Sequence, residues 1–294
     1  MVEFDVVSDA RLYWVRVDGV LRFSTDADKR MTVDTLVTTD NATLEIGTEE
    51  NPVQAGVTAE VIIAADGEID TDWDVRQITR GIVTNGPVRI HGADKLGHVA
   101  IAGNAMAGDN QLTLALPDGM TTPQGWQVGD TIVLHGTNHN QDGSDEDKTR
   151  YEDEVLTITA INGNTVEFTN NDITSGDNTV LRFDHTTPEG FDEYDLQIRV
   201  ANLTRNVRVA SELGIDTPIP LRGHFMMMHE QGQSVQNAGF YGLGRTNKNE
   251  VANDAREIDG VLTAGTNQRG RIGLLDRRHR RRFGGPRDWL RRAL

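Results

Sequence analysis

The sequence predicts an all-β fold from three observations. Thirty glycines punctuate the chain, and its apolar residues fall in short Val/Ile/Leu/Thr runs. Asn-Gly, Asp-Gly and Gly-Asp pairs cut those runs, which is the chemistry of turns between strands. No window sustains the helical period of an amphipathic segment. At 294 residues the chain is long enough to bury a full core in one or two domains.

Residues 12–17, 20–23, 33–37, 43–46 and 60–64 are the first strand candidates. Polar turns such as 24–29 and 38–41 separate them, and no two-residue hairpin turn joins one to the next. Such a series fits coils stacked along an axis, each rung burying its inward side chains on its neighbours. An antiparallel sandwich is the alternative. Asp70-Thr-Asp-Trp-Asp74 reads as a solvated acidic turn, because it lacks the glycine and terminal glutamate of a helix-loop-helix calcium site. Residues 81–84 and 88–91 continue the strands, and His91 and His98 read as turn histidines.

Residues 108–116 and 126–134 alternate apolar and polar side chains, with Gly129-Asp130 as the turn that feeds the second strand. A first unit is therefore expected to end near His135. Residues 136–154 form the densest acidic run, including Asp142, Asp145, Glu146, Asp147, Glu152, Asp153 and Glu154, and read as a loop. Oxygen-rich clusters suit hard cations, so calcium is the candidate cofactor and Asp145 and Glu146 its candidate ligands. A hydrated insertion is the competing reading. Strands resume at 155–160, 165–168 and 180–183, with a turn at 162–164.

Chemistry-bearing residues concentrate in 201–248. Ala201-Asn-Leu-Thr-Arg-Asn-Val207 leads into a strand in which Val207 and Val209 alternate with Arg208. Arg222-Gly-His-Phe-Met-Met-Met-His229 sets His224, Met226 and Met228 on one face and Phe225, Met227 and His229 on the other, so both faces are expected to be covered. Leu243-Gly-Arg-Thr-Asn-Lys248 follows. Arg199, Arg205, Arg208, Arg222 and Arg245 recur here. Rungs that aligned them would make a basic strip able to hold a carboxylate-bearing sugar through bidentate contacts. Asn202 and Asn206 read equally as turn residues bonded to backbone, and Arg205 as the partner of a carboxylate.

Those three motifs, in that order, resemble the motifs of extracellular proteins that carry an eight-glycine domain followed by parallel β-helix repeats, a family that includes hyaluronidases and fibrocystins. Upstream, Val17-Asp-Gly-Val-Leu-Arg-Phe23, Val33-Asp-Thr-Leu-Val37, Leu44-Glu-Ile-Gly-Thr48, Asn51-Pro-Val53 and Gly125-Trp-Gln-Val-Gly-Asp130 resemble the eight-glycine domain itself. The resemblance covers roughly residues 14–271. It implies a right-handed parallel β-helix, a single-stranded solenoid of short strands, with an eight-glycine unit at 1–135, a coil continuation at 136–268 and a tail at 269–294.

The same resemblance implies an extracellular or cell-surface location and an acidic polysaccharide or cell-surface glycan as partner. For an enzyme it implies hydrolysis of a glycosaminoglycan-like polysaccharide. The candidate roles are then His224 or His229 for proton transfer with Asp184 as partner, and Arg205, Arg222, Arg199 and Asn202 for substrate binding. Glycoside cleavage requires two carboxyl groups flanking the bond, which the sequence alone does not pair. A non-catalytic adhesion or structural module is the competing reading.

A net charge of −16 sets the chain against nucleic acid, whose binding is driven by Lys/Arg neutralisation of phosphates. It has no cysteine, hence no disulfide or thiol chemistry. No apolar stretch approaches the roughly 18–20 residues of a membrane span, and the first residues lack the pattern of a secretory leader. From Arg269 onward there are ten arginines, no lysine and two acids, whereas residues 1–268 carry 43 acids and 19 bases. Family members continue there with an aromatic residue and a His-Phe-His triplet, so the break is the one a frameshifted or truncated reading frame would produce.

Overall fold

The computed structural model describes residues 1–137, 152–187, 196–228 and 231–268. The strands open with β1 (Val2–Phe4), β2 (Val7–Val17), β3 (Val20–Phe23), β4 (Lys29–Thr38), β5 (Thr43–Ile46), β6 (Ala59–Ile63), β7 (Gly81–Thr84) and β8 (Val88–His91). Next come β9 (His98–Ile101), β10 (Gln111–Ala115), β11 (Thr131–Leu134), β12 (Glu154–Asn162), β13 (Thr165–Asn170) and β14 (Arg199–Asn202). The chain then adds β15 (Val207–Ser211), β16 (His224–Met227), β17 (Gln233–Gln236), β18 (Ala238–Tyr241), β19 (Arg256–Ile258) and β20 (Val261–Thr263). The described residues are all-β, with two short 3-10 turns and no α-helix, so none of their helices could cross a membrane.

Two compact units share these strands: residues 1–93 with 206–294, and residues 94–205. In the first, β1-β3-β5-β8-β17 form one wholly parallel sheet. A second parallel sheet holds β2, β4, β6, β7, β15, β16 and β18. Strand β4 is long enough to pair with β6 through residues 29–33 and with β7 through residues 35–38. The chain alternates between the two sheets and moves one place further along each time it returns, with β6 and β7, and later β15 and β16, lying end to end in the second sheet. This recurrence stacks like positions: Phe4, Phe23, Ile46, Ile90 and Val235 form one column, and Met31, Val61, Val209 and Phe240 another.

Because successive strand side chains point to opposite faces, each rung sends alternate residues into the coil. Phe23, Val33, Leu36, Leu44, Ile46, Val61, Ile82, Ile90 and Val209 are all fully buried in one cluster. Burying each large apolar side chain contributes about 1.5–3 kcal/mol before the entropy of ordering is subtracted. Phe225 and His224 are both about 2% exposed, so both faces of β16 are covered as expected.

The second unit is a closed antiparallel barrel in the order β10-β13-β12-β11-β14-β9. Leu112, Leu114, Ile132, Leu156, Ile158, Val166, Phe168 and Val200 fill it. Closure leaves no free sheet edge. The expected boundary at 135 is thus displaced: residues 94–135 belong with 152–205 in the barrel, and the coil resumes at Asn206. The cause is visible in the alternation of β10 and β13 and in the tight Gly163-Asn164 turn between β12 and β13, which are hairpin rather than coil features. Residues 180–183, expected as a strand, run instead as an irregular segment outside the named strands.

Candidate functional site

Each turn of a parallel coil leaves backbone carbonyls without a ladder partner, and a buried carbonyl must find a donor. In the central stretch the polar side chains supply those donors. Asn206 shares its amide N–H groups among the carbonyls of Val53, Gln54 and Val57 at 3.2, 3.1 and 2.9 Å, and its Oδ1 accepts from Ala93 N at 2.9 Å. Arg222 donates Nε to the Thr217 carbonyl at 2.8 Å and Nη2 to the Ile215 carbonyl at 2.6 Å. Arg245 donates Nη1 to the carbonyls of Thr79, Arg80 and Arg222 and Nη2 to that of Gln77 at 2.6 Å. Burial, and then the neighbouring Arg80 cation, lowers Arg245 to about 10, which leaves it charged at neutral pH. Lys29, 1% exposed, likewise donates Nζ to the Ser24 carbonyl.

The glycines of these motifs have steric reasons. A Cβ at Gly223 would lie 2.6 Å from Ile63 Cγ2. Gly81, in register with His224, would place a Cβ 2.8 Å from the His224 Nδ1, so the bare backbone makes room for the ring.

His224 does not fit its predicted catalytic role. Neither ring nitrogen has a hydrogen-bond partner, and burial, followed by the Arg245 cation, pushes it down to about 3. A general acid must come within hydrogen-bond reach of the substrate oxygen, which a sealed, neutral imidazole cannot do. Asp184, its predicted partner, belongs to the barrel unit and accepts from Ala107 N at 2.8 Å. His229 lies outside the described residues, as do Asp145 and Glu146. Among the described residues no three His, Asp or Glu side chains gather as a metal site.

The predicted binding residues also divide. Asn202 is 1% exposed, donates to Asp130 Oδ2 at 2.8 Å and accepts from Thr204 N, so it holds a barrel turn rather than a sugar. Arg205 turns back onto the carbonyls of Asn202 and Thr204, both at 2.8 Å. Arg199 meets His98 Nδ1 at 3.1 Å and Gln197 Oε1 at 2.9 Å. With Arg222 and Arg245 spent on carbonyls and Arg205 turned onto its own loop, Arg199 stands on the outer face of the barrel sheet and Arg208 on that of the second parallel sheet.

Sequence reading passed over two constellations. Inside the barrel unit, Glu154 and His185 are both wholly buried. Glu154 accepts from His185 Nε2 at 2.9 Å, from Arg182 N at 2.9 Å, from Phe183 N at 3.2 Å and from Asn170 Nδ2. His185 Nδ1 faces the His135 carbonyl at 2.9 Å. Burial pushes the Glu154 carboxyl up, but those hydrogen bonds outweigh it and hold the group below its ordinary range. Every polar atom of the pair is used, which marks a lock on the segment around residue 183 rather than a reactive site.

Outside the coil, the register builds two charged columns. On the first sheet Glu3, Arg22, Glu45 and Arg89 stand in line, with Glu45 bonded to Arg22 and 3.5 Å from Arg89. On the second sheet Arg30, Glu60 and Arg208 stand in line, with Glu60 at 2.8 Å from Arg30 and 3.2 Å from Arg208. The Arg208 guanidinium also lies 5.0 Å over the Tyr241 ring.

Comparison with known families decides what the first rungs are: residues 1–100 match the family model of the G8 domain. The chain carries a G8 domain. The eight-glycine resemblance of the motifs between 17 and 53 is met there, while the expected extension to 135 is not part of the match. No curated protein matches. Among solved structures, the chain is similar to the Gp54 tailspike of Acinetobacter baumannii bacteriophage AP22, in complex with a capsular saccharide, at 13% identity and TM-score 0.24, over 76% of this chain and 31% of that one. The Pseudomonas phage phi297 tailspike gp61 is similar at 12% identity and TM-score 0.25, over 75% and 26%. The chain thus spans under a third of either tailspike's length. Arg30 and Glu60 lie within the G8 domain, whereas Arg208 and Tyr241 come from rungs that follow the barrel.

Proposed function

We propose that the chain is a non-catalytic glycan-binding module, built on a right-handed parallel β-helix that begins in its G8 domain and belongs to an extracellular or cell-surface protein. The in-register stacking of rungs supports this reading. Outward side chains repeat about every 4.8 Å along each sheet, which gives an extended polysaccharide a flat track with regularly placed contacts. The glycan is acidic, held where arginines locally reverse the field of a chain with net charge −16. Hydrolysis is left out, because His224 is sealed and neutral and Asp184 is bonded to backbone.

Incubation of the intact protein with hyaluronan and other uronate polysaccharides tests both halves. Retention on at least one of them with no new reducing ends is the expected result. Release of reducing ends would restore the hydrolase reading, and failure to retain any glycan would leave a purely structural module.

A further inference from the structure

The outer face of the second sheet carries two adjacent columns of different chemistry. One is Arg30, Glu60 and Arg208; the other, two residues along each strand on the same face, is Thr32, Ile62, Ala210 and Tyr241, of which Ala210 is buried, and it ends at Arg11 of β2, which pairs with Thr32 and is held by Asp66 and Glu212. We infer that this face is a binding site for a carboxylate-bearing sugar, with the Arg30–Glu60–Arg208 column taking the carboxylate and the partly exposed Ile62 and Tyr241 taking the ring. This rests on the glycan-binding reading and gives it a location.

The charge balance favours an anion. Two arginines share one glutamate, so this column by itself sums to a net positive charge; beside it Arg11 is taken up by Asp66 and Glu212, and on the first sheet Glu3, Arg22, Glu45 and Arg89 cancel. Glu60 occupies only Nε of Arg30 and one Nη of Arg208. Both guanidinium side chains remain about half exposed, at 51% and 45%, so their outward N–H groups face solvent. Arginine presents a planar fork that matches a carboxylate in two-pronged fashion. The fork at Arg208 is pre-set, because its plane is held over the Tyr241 ring and its inner edge by Glu60.

Two rungs separate Arg30 from Arg208, about 10 Å at the usual strand spacing. One carboxylate therefore meets one arginine, and the second arginine reaches the next acidic unit of a polymer. Glu60 is part of the specificity. It orients both guanidinium groups but competes for them, so it weakens binding of the anion it helps to select.

Calorimetric titration of the intact protein with a hyaluronan hexasaccharide, against a neutral glucan hexasaccharide, tests the assignment. Arg30→Ala and Arg208→Ala should each weaken the acidic probe about tenfold or more, the scale of one charge-assisted contact. Arg208→Lys, which keeps the charge but not the fork, should fall between. Arg22→Ala on the first sheet should leave binding unchanged, and Glu60→Gln should tighten it. Equal binding by wild type, Arg30→Ala and Arg208→Ala would overturn the site while leaving glycan binding intact. Binding of the neutral probe alone would do the same. Binding of neither probe would overturn the site and the glycan-binding reading together. Weaker binding by Glu60→Gln with an unchanged melting temperature would reverse its assigned role and overturn the anion assignment.

Discussion

The most heavily used buried charge is a cation in the coil, Arg245, and a carboxylate in the barrel unit, Glu154. In the coil, cations and an amide donate into backbone carbonyls: Arg245 into four, Asn206 into three, Arg222 into two and Lys29 into one. In the barrel unit one carboxylate, Glu154, accepts from two backbone N–H groups and two side chains. A parallel coil turns several times per rung and leaves carbonyls stranded at those turns. The antiparallel barrel pairs its strands with fewer leftovers; Arg205 still donates into two carbonyls there, as Asp74 accepts from two amides in the coil, so the contrast lies in which clamp carries most and not in one sign for each unit. Buried charge among the described residues therefore serves the backbone in both units.

The largest expected effect comes from breaking the clamp in the barrel. Glu154→Ala strands the Arg182 and Phe183 amides, Asn170 and His185 together, and should lower the stability of residues 94–205 by about 3–5 kcal/mol. Arg245→Ala leaves the carbonyls of Gln77, Thr79, Arg80 and Arg222 without this donor and should cost the coil about 2–3 kcal/mol, less than Glu154→Ala because no buried side chain is stranded with them. Hydrogen-exchange mass spectrometry resolves the two units. Loss of protection confined to barrel peptides in the first variant and to coil peptides in the second is the expected pattern. Equal loss across both units in either variant would refute the idea that each unit keeps its own account.

Acidification should separate the units in pH. The folded value of His224, about 3, lies below its unfolded value of about 6.5. Between those limits the unfolded chain binds a proton that the folded coil refuses, so coil stability falls as pH falls, by at most about 1.4 kcal/mol per pH unit. Glu154 is also depressed, from an ordinary value of about 4.5. Its contribution is full above that value and is lost only as pH falls through the lower folded one. Exchange corrected for intrinsic rate should thus rise in coil peptides from about pH 6 downward and in barrel peptides only below about pH 4. His224→Gln should flatten the coil's dependence; if it does not, the imidazole is not the group responsible.

The two units also differ in how legible they were. In the coil, residues 20–23, 43–46, 81–84 and 88–91 coincide with strands, because each is an apolar run bounded by turn chemistry. The barrel's strands were partly visible too, yet their insertion into the coil was not. Nothing local in Ala93-Asp94 or Arg205-Asn206 announces a crossing between units, since a chain can leave and re-enter a coil through ordinary turns. The candidate site was misread for a related reason. A motif rich in Arg, His and Asn looks the same whether it faces solvent or backbone, and the carbonyls that claim Arg245 come from residues 77–80, far away in sequence. Glu154 was hidden inside an acidic run that reads as a loop, although β12 begins with it. Arg30 and Glu60 gave no signal because only the parallel register brings them beside Arg208.

The smallest effects belong to the coil's outer columns, where the comparison with buried clamps can be sharpened by a pair of mutations. Arg22 is 42% exposed and Arg89 49%, but Glu45 between them is only 7% exposed. Removing either arginine leaves Glu45 one cation, so each single alanine variant should cost less than about 1 kcal/mol, and less still at high salt. Removing both leaves a shielded carboxylate with neither cation. The double variant should therefore lose more than the sum of the singles, by an interaction energy of about 0.5–3 kcal/mol. Thermal melts of the four proteins at low and high ionic strength measure this. Strict additivity would mean that Glu45 is hydrated despite its low exposure, and that the outer columns contribute nothing to the coil beyond their separate surface contacts.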